Sequence, residues 1–195
     1  TKSYGSAFAW IGVLAIGAFI ASFVYAVAVS EGWTMFQDSV MDLSLNDKTS
    51  QIFNYGGLVI PGILLVIFGI GSALTGENRA STAGGVMVFG VGICMIILGL
   101  VTKDSNKYVN DAMLVLFLVF GTLAVITTAV GFGLQGRVVF AVVPMVLTFA
   151  LVAVYLMKTQ ADFEGYVVIF GLMFLIVSCM DMLCRKPLAP KAAEA

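Results

Sequence analysis

Six long apolar segments occupy most of this chain of 195 residues, and only short connections join them. Each approaches or exceeds the roughly 18–20 residues that carry an α-helix across the hydrocarbon core of a bilayer. The segments are Phe8–Ser30, Ile52–Leu74, Ala83–Val101, Ala112–Val130, Val138–Met157 and Tyr166–Leu183. They lack the apolar/polar alternation of membrane barrel strands. The sequence therefore predicts an all-α polytopic membrane protein, a bundle of six transmembrane helices in one domain over residues 1–195.

Composition supports this class, since 61% of the residues are hydrophobic and only 11% are charged. A water-soluble protein of this length would have too few polar residues to cover its surface. In lipid the backbone N–H and C=O groups must pair internally, which helices achieve. The net charge of −1, without a basic stripe, argues against nucleic acid as a partner. Membrane lipids and other integral membrane proteins are the expected partners.

Lys and Arg near the segment ends predict the orientation. Six cations fall on the side of the termini, namely Lys2, Arg79, Arg137, Arg185, Lys186 and Lys191. Four fall on the other side, namely Lys48, Lys103, Lys107 and Lys158. Cytoplasmic loops carry the excess of Lys and Arg in membrane proteins. Both termini, including the tail over residues 184–195, are therefore predicted in the cytoplasm and the protein in the cell membrane.

Only the first connection, Glu31–Gln51, is long enough to hold structure of its own. Trp33, Phe36, Val40 and Leu43 recur there at helical spacing. This pattern predicts an amphipathic helix lying in the outer interface.

Prolines and glycines predict how the helices bend and pack. Pro61 and Pro144 fall inside the second and fifth segments, where each removes a backbone donor and is expected to bend its helix. The third segment is rich in glycine, with Gly84, Gly85, Gly90 and Gly92. Small residues allow membrane helices to approach closely, so this helix is predicted at the centre of the bundle.

Residues 131–136, GFGLQG, match the dinucleotide-binding pattern G-x-G-x-x-G. That chemistry needs a preceding strand, a following helix and an acidic residue further on. A membrane helix precedes this string and another follows it. We therefore predict a flexible cytoplasmic turn and no nucleotide.

The segment CMDMLC gathers sulfur ligands at Cys179, Met180, Met182 and Cys184. Thiolate and thioether groups suit Cu(I), so metal capture is conceivable. Ligands this close together on one helix point in different directions, however, and methionine is an ordinary filler of apolar gaps. The favoured prediction is no metal and no cofactor.

Asp181 is the acidic residue most nearly embedded in a segment, and an intramembrane carboxylate is a functional candidate by default. Arg185 follows at i+4, the spacing of an ion pair on one helix face. A structural ion pair is therefore favoured over a proton or ion relay.

Other polar candidates lie at the ends of segments. Asn54 and Tyr55 open the second segment, and an embedded amide needs a partner from a neighbouring helix or the outer loop. Asn110 and Asp111 precede the fourth segment, where an acid complements the helix dipole. Structural roles are predicted for all four.

Two stretches resemble the domain of unknown function 998 family. The first, SVMDLSLNDKTSQIFNYGGLVIPGILLVIFGIG, carries the match through Ser39, Asp42, Leu43, Phe53 and Asn54. The second, ILGLVTKDSNKYVNDAMLVLFLVFG, resembles the connection between the third and fourth spans, with Asn110 and Asp111 where the family often has a histidine. The resemblance is strongest over residues 39–121. It implies six helices in a prokaryotic cell membrane, archaeal or bacterial, and no known activity.

Three functional hypotheses follow. The favoured one is a non-catalytic accessory subunit that packs against other membrane proteins, because its helices are rich in glycine and its loops are minimal. The chain contains no histidine, which removes the commonest general base, and we expect no enzyme activity.

The first alternative is a carrier or channel for a small solute or a lipid, with Asn54, Tyr55, Asp111 and Asp181 along its path. This alternative requires a polar cavity that reaches the middle of the bundle. The second alternative is a membrane-embedded lipid enzyme.

Overall fold

The computed structural model describes residues 2–157 and 160–184, and these residues contain helices and no strand. The α-helices are α1 (Lys2–Val29), α2 (Ile60–Leu74), α3 (Arg79–Leu100), α4 (Lys107–Leu134), α5 (Val138–Met157) and α6 (Gln160–Cys184). A 3-10 helix covers Val40–Ser44, and a π-helix over Ile52–Val59 leads directly into α2.

Five helical stretches in the described residues are long and apolar enough to cross a membrane. They are Gly5–Val29, Ile52–Leu74, Arg79–Leu100, Lys107–Leu134 and Phe163–Cys184. Within α5 the apolar stretch is shorter, Val138–Ala150. The predicted all-helical, multi-pass membrane character is thus confirmed, with five to six apolar helices.

Two helices begin earlier than their apolar segments because asparagines cap them. The side chain of Asn78 accepts the backbone N–H of Ser81 at 2.8 Å and starts α3 at Arg79. Asn106 accepts the N–H of Val109 at 3.2 Å and starts α4. Each cap pairs one of the backbone donors left open at a helix start. Because of these caps, α3 and α4 start four and five residues before the apolar segments predicted at Ala83 and Ala112.

The helices form a closed ring. Each packs against its neighbours in chain order, and α6 returns to pack against α1. Short connections make successive helices antiparallel. The ring thus has a terminal face, with residues 75–78, 135–137 and Cys184, and a loop face, with residues 30–51 and 101–106. A ring of this kind leaves space along its axis.

The glycine-rich helix α3 lies in the wall of this ring, where its contacts with α2 and α4 are the most extensive in the bundle. A Cβ at Gly85 would lie 2.7 Å from the Cα of Ala73, and one at Gly69 would lie 2.8 Å from the Cα of Phe89. Another face of α3 meets α4, where Gly90 faces the ring of Phe120. Because its glycines serve two opposite neighbours, α3 joins adjacent helices and does not occupy the predicted central position.

The first connection holds a 3-10 helix of five residues, Val40–Ser44, rather than one continuous amphipathic helix. The backbone of Phe36 is left-handed, with φ of 73°, which no α-helix accommodates. The Trp33 indole donates to the carbonyl of Ser39 at 3.1 Å and stabilises the turn. Val40 and Leu43 are buried in the hydrophobic core. The apolar side of this segment therefore faces the bundle.

The winding of the second span changes immediately before Pro61. The N–H of Ile60 bonds the carbonyl of Tyr55, which is the π-helical pattern, and α-helical winding follows. Pro61 has no backbone N–H and so cannot donate a hydrogen bond in either the π-helical or the α-helical pattern. The winding therefore changes next to a residue that has no backbone donor to leave unpaired.

Candidate functional site

The ring encloses a chamber of about 640 Å³, which is within the size range of small-molecule sites. All six α-helices contribute to its wall, and Val40 and Met41 of the first connection close it on the loop face. This space lies between the helices along the bundle axis.

The chamber wall is almost entirely apolar. Leu, Val, Phe, Met and Ile side chains dominate it, and Thr122, Thr148 and Glu164 are the polar side chains among the described lining residues. Asn54, Tyr55, Asp111 and Asp181, the predicted path residues, do not line it. This arrangement is suited to an apolar occupant and lacks the polar groups that a hydrophilic solute needs.

Burial around the chamber is uneven. On the side of α1 and the second span most of the wall residues are buried, as at Ala15, Phe53 and Leu65. On the opposite side Thr122 of α4 and Gly171 of α6 are exposed although they line the chamber. A Cβ added at Gly171 would meet no heavy atom within 4 Å. The exposed part of the chamber wall therefore lies on the side of α4 and α6, and α5 contacts these two helices less extensively than α3 contacts α2 and α4.

The segment over residues 33–44, here called the cap, covers the chamber on the loop face. Glu164 of α6 accepts hydrogen bonds at Oε2 from the Ser39 hydroxyl at 2.6 Å and from the Val40 N–H at 2.8 Å. The Phe36 and Tyr166 ring centroids are 5.0 Å apart. These contacts fasten the cap to the start of α6.

A second set of hydrogen bonds joins the cap to the second span and to the residues just before it. The Asn54 amide donates to the Ser44 carbonyl at 3.2 Å, and the Thr49 hydroxyl donates to the Leu43 carbonyl at 3.0 Å. The first connection thus supplies the partner that Asn54 was expected to need. Tyr55, the next residue, is exposed on the outside of the ring.

Asp181 forms the centre of a polar cluster on the terminal face. Its side chain is 0% exposed and pairs with Nη1 of Arg137, while Nη2 of Arg137 lies 3.4 Å from Oε1 of Glu77. The predicted partner, Arg185, lies outside the described residues. Arg137 comes from the connection between α4 and α5, so this ion pair joins distant parts of the chain.

The GFGLQG string places Arg137 by ending α4. Gly136 has φ of 72°, its N–H bonds the Gly133 carbonyl at 3.0 Å, and the Arg137 N–H bonds the Phe132 carbonyl at 3.0 Å. This is a Schellman C-cap, which favours glycine at the left-handed position. Gly131 is needed for close packing, because a Cβ there would lie 2.9 Å from the Ser81 N atom. Two glycines of the apparent nucleotide pattern therefore have structural roles.

The four sulfur residues near Asp181 lie on two sides of α6. Cys179 and Met182 are buried, whereas Met180 and Cys184 are exposed. A Cβ added at Gly12 of α1 would lie 2.6 Å from Cys179 Sγ, so this thiol packs against α1. The four ligands do not converge on one point.

Asn110 and Asp111, the polar candidates at the start of the fourth segment, also differ in burial. Asn110 is buried and its amide donates to the Val101 carbonyl at 2.9 Å, which joins the first turn of α4 to the end of α3. Asp111 is exposed. The Val101 carbonyl is thus the partner that a structural role of Asn110 requires.

Glu164 is the site residue that sequence reasoning missed. It precedes the sixth apolar segment and resembles an ordinary solvated loop acid. Its partner Ser39 lies 125 positions away, so local spacing gives no sign of the contact. The one available signal was the presence of Ser39 in the stretch that resembles the DUF998 family.

Comparison with known proteins identifies the family. The sequence model described as "Protein of unknown function (DUF998)" matches residues 13–183. This chain belongs to the DUF998 family. The match covers most of the chain, including the cap, Glu164, Arg137 and Asp181 of this DUF998 protein. No curated protein and no solved structure matched it.

Proposed function

We propose that this DUF998 protein binds a lipid chain inside its helix bundle and serves as a lipid-binding or lipid-carrying membrane protein. The observation that carries the proposal is the apolar chamber of about 640 Å³, whose exposed wall lies on the side of α4 and α6. A lipid chain already dissolved in the bilayer would enter between the helices on that side without crossing water. The apolar wall matches such a chain and gives a hydrophilic solute little to bind.

The proposal includes a topology. The chain crosses the cell membrane of a prokaryote six times, with α5 as one of the crossings, and both termini lie in the cytoplasm. The cap then lies at the outer surface, and the Asp181 cluster lies at the cytoplasmic surface. In this arrangement the excess of Lys and Arg faces the cytoplasm.

A photoactivatable diazirine alkane tests lipid-chain binding. With the protein in lipid nanodiscs, we expect crosslinks on chamber peptides, and a G121L/G171L double variant should reduce them at least about tenfold. Both glycines line the chamber, and neither has a heavy atom within 4 Å of an added Cβ, so the leucines fill the chamber.

Gly17→Leu is the matched control. Gly17 is an exposed glycine of α1 outside the chamber wall, also without neighbours within 4 Å of an added Cβ. This variant should crosslink like the native protein. Equal labelling of chamber peptides in the double variant and in the control would overturn the proposal.

An accessory role remains a second proposal. The glycine faces that suggested a protein partner pack against other helices of the same chain, as Gly85 and Gly69 do between α2 and α3. Native mass spectrometry of the gently solubilised protein separates the two proposals, since an accessory subunit is expected to co-purify with a defined protein and a lipid binder with lipid.

A further inference from the structure

We propose that the chamber takes its lipid chain only from the membrane leaflet on the loop face, and that the packed half of the bundle below it separates the chain from the other leaflet. The inference rests on the lipid-binding function proposed above and adds the class of ligand. That class is a lipid of the loop-face leaflet, with its head group at the level of the cap and a chain inside the chamber.

The depth of the chamber carries the first step. Among the described residues, the deepest lining residue lies nine positions from the terminal-face end of its helix in α2 to α6, namely at Leu65, Val88, Val125, Leu147 and Leu175. In α1 the deepest lining residue is Ala15, thirteen positions from Lys2. Nine positions at 1.5 Å each leave roughly 13 Å of helix below the chamber, close to the roughly 15 Å of hydrocarbon in one leaflet. The chamber therefore ends near the middle of the membrane.

At its other end the chamber reaches the loop face. Phe53, Leu98 and Phe163 line it within three positions of the loop-face ends of the second span, α3 and α6. Val40 and Met41 of the cap lie above them. The space thus extends from the cap to mid-depth, which is the depth of one leaflet.

The packing below the chamber carries the second step. Phe68 lies one turn beyond Leu65, Cys179 lies one turn beyond Leu175, and both side chains are fully buried. A Cβ added at Gly12 of α1 would lie 2.8 Å from Phe68 Cδ2 and 2.6 Å from Cys179 Sγ. Gly12, Phe68 and Cys179, here called the floor, therefore close the space between α1, α2 and α6.

The opposite side of the ring is also packed at this depth. A Cβ added at Gly84 of α3 would overlap the Thr128 hydroxyl of α4. The Phe132 and Phe140 rings join α4 to α5, with their centroids 6.0 Å apart. None of these four residues lines the chamber. A chain in the chamber therefore meets packed side chains near the middle of the bundle.

The exposed part of the chamber wall lies above the floor. Thr122 of α4 is three positions nearer the loop face than Val125, and Gly171 of α6 is four positions nearer than Leu175. A lipid of the loop-face leaflet can insert most of its chain here while its head group stays at the surface. A lipid of the other leaflet reaches this depth only with its chain tip, because moving its polar head into hydrocarbon would cost its hydration.

A depth scan with photoactivatable phosphatidylcholine tests the inference on the native protein. The diazirine is placed near the carboxyl end or near the methyl end of one acyl chain, and each probe is added to both leaflets of nanodiscs. We expect the carboxyl-end probe to label Phe53 and Leu98 at least about tenfold more than Leu65 and Val88, and the methyl-end probe to show the reverse. All four residues line the chamber and are buried from the surrounding lipid.

Leu74 is the internal control. It lies at the terminal-face end of α2, is largely exposed and does not line the chamber. The carboxyl-end probe should label it from outside the bundle, which shows that the probe is present in the terminal-face leaflet.

The depth scan distinguishes the two proposals. If neither probe labels the four chamber residues, the lipid-binding function fails, and this inference fails with it. If both probes label them with equal intensity at the two ends, or in the reversed order, lipid binding stands and the restriction to the loop-face leaflet is overturned.

Phe68→Ala tests the floor. Removing this ring should let the chain tip descend, so labelling of Cys179 by the methyl-end probe should rise at least about tenfold. Phe149→Ala is the matched control, because Phe149 is exposed and does not line the chamber. Phe68→Leu opens a smaller gap and should shift the labelling in the same direction if the alanine variant does not fold. A folded Phe68 variant that labels like Phe149→Ala would overturn the assignment of the floor.

Discussion

At the scale of single residues, the two embedded carboxylates are held in different ways. Asp181 is fully buried and its charge is paired with a guanidinium. Glu164 is partly buried and is held by a hydroxyl and a backbone N–H. A buried ion pair is sensitive to removal of one partner, since the remaining charge loses its compensation in a medium that solvates it poorly. Asp181 therefore stabilises the fold through Arg137.

Arg137→Met should destabilise the protein by about 3 kcal/mol, because it leaves the Asp181 carboxylate without the guanidinium charge. A double variant that also carries Asp181→Asn should recover part of that loss. The free energy of unfolding in mixed micelles measures both. Glu77→Gln is the control, since its partly exposed pair should contribute less than about 1 kcal/mol. An Arg137→Met protein as stable as this control would disprove the assignment.

At the scale of elements, the joint between α2 and α3 depends on glycines that bring two backbones together. Gly62 faces the Gly92 carbonyl across it, with 2.9 Å between an added Cβ and that oxygen. Lipid supplies no hydrophobic force between helices, so close packing of this kind stabilises the pair. A methyl group at such a position has to push a backbone away.

Gly85→Ala should cost roughly 1–3 kcal/mol, because the new methyl overlaps the backbone of Ala73. Gly121→Ala adds the same methyl where nothing lies within 4 Å and should be neutral or stabilising by up to about 1 kcal/mol, since alanine favours the helix. Thermal unfolding of the two purified variants makes the comparison. The packing argument fails if both melt at the same temperature.

At the scale of the whole molecule, the ring makes two faces with different roles. On the loop face the cap is fastened to α6 and to the second span, while on the terminal face the Asp181 cluster joins α6 to the connections before α3 and after α4. The contact of α6 with α1 closes the ring between these faces. Hydrogen bonds and ion pairs therefore tie the helices together at both ends of the ring.

Single cysteines in a background without Cys94, Cys179 and Cys184 test the two faces. An impermeant thiol reagent outside intact cells should label cysteines at positions 48 and 105. It should reach those at positions 76 and 136 only after the membrane is opened, because these connections lie on the other face. Labelling of positions 48 and 76 from the same side of intact membranes would contradict the six-span topology.

The sequence alone determined the helical class, the membrane location and the family. Each of these depends on local properties, since hydrophobicity over about 20 residues decides whether a helix enters lipid. Local chemistry also indicated the need of Asn54 for a partner, although not that Ser44 would provide it. The start of α3 was placed too late, because hydrophobicity does not register the Asn78 cap.

Only the tertiary structure decided the chamber, the cap and the charge partners. Arg137 and Asp181 are 44 positions apart, and Ser39 and Glu164 are 125 apart. Which helix lies beside which is decided by the packing of complementary surfaces, such as the glycine faces of α2 and α3, and those surfaces meet only after the helices have formed. Hydropathy is a sum over neighbours in sequence, whereas the chamber is the space left between neighbours in three dimensions.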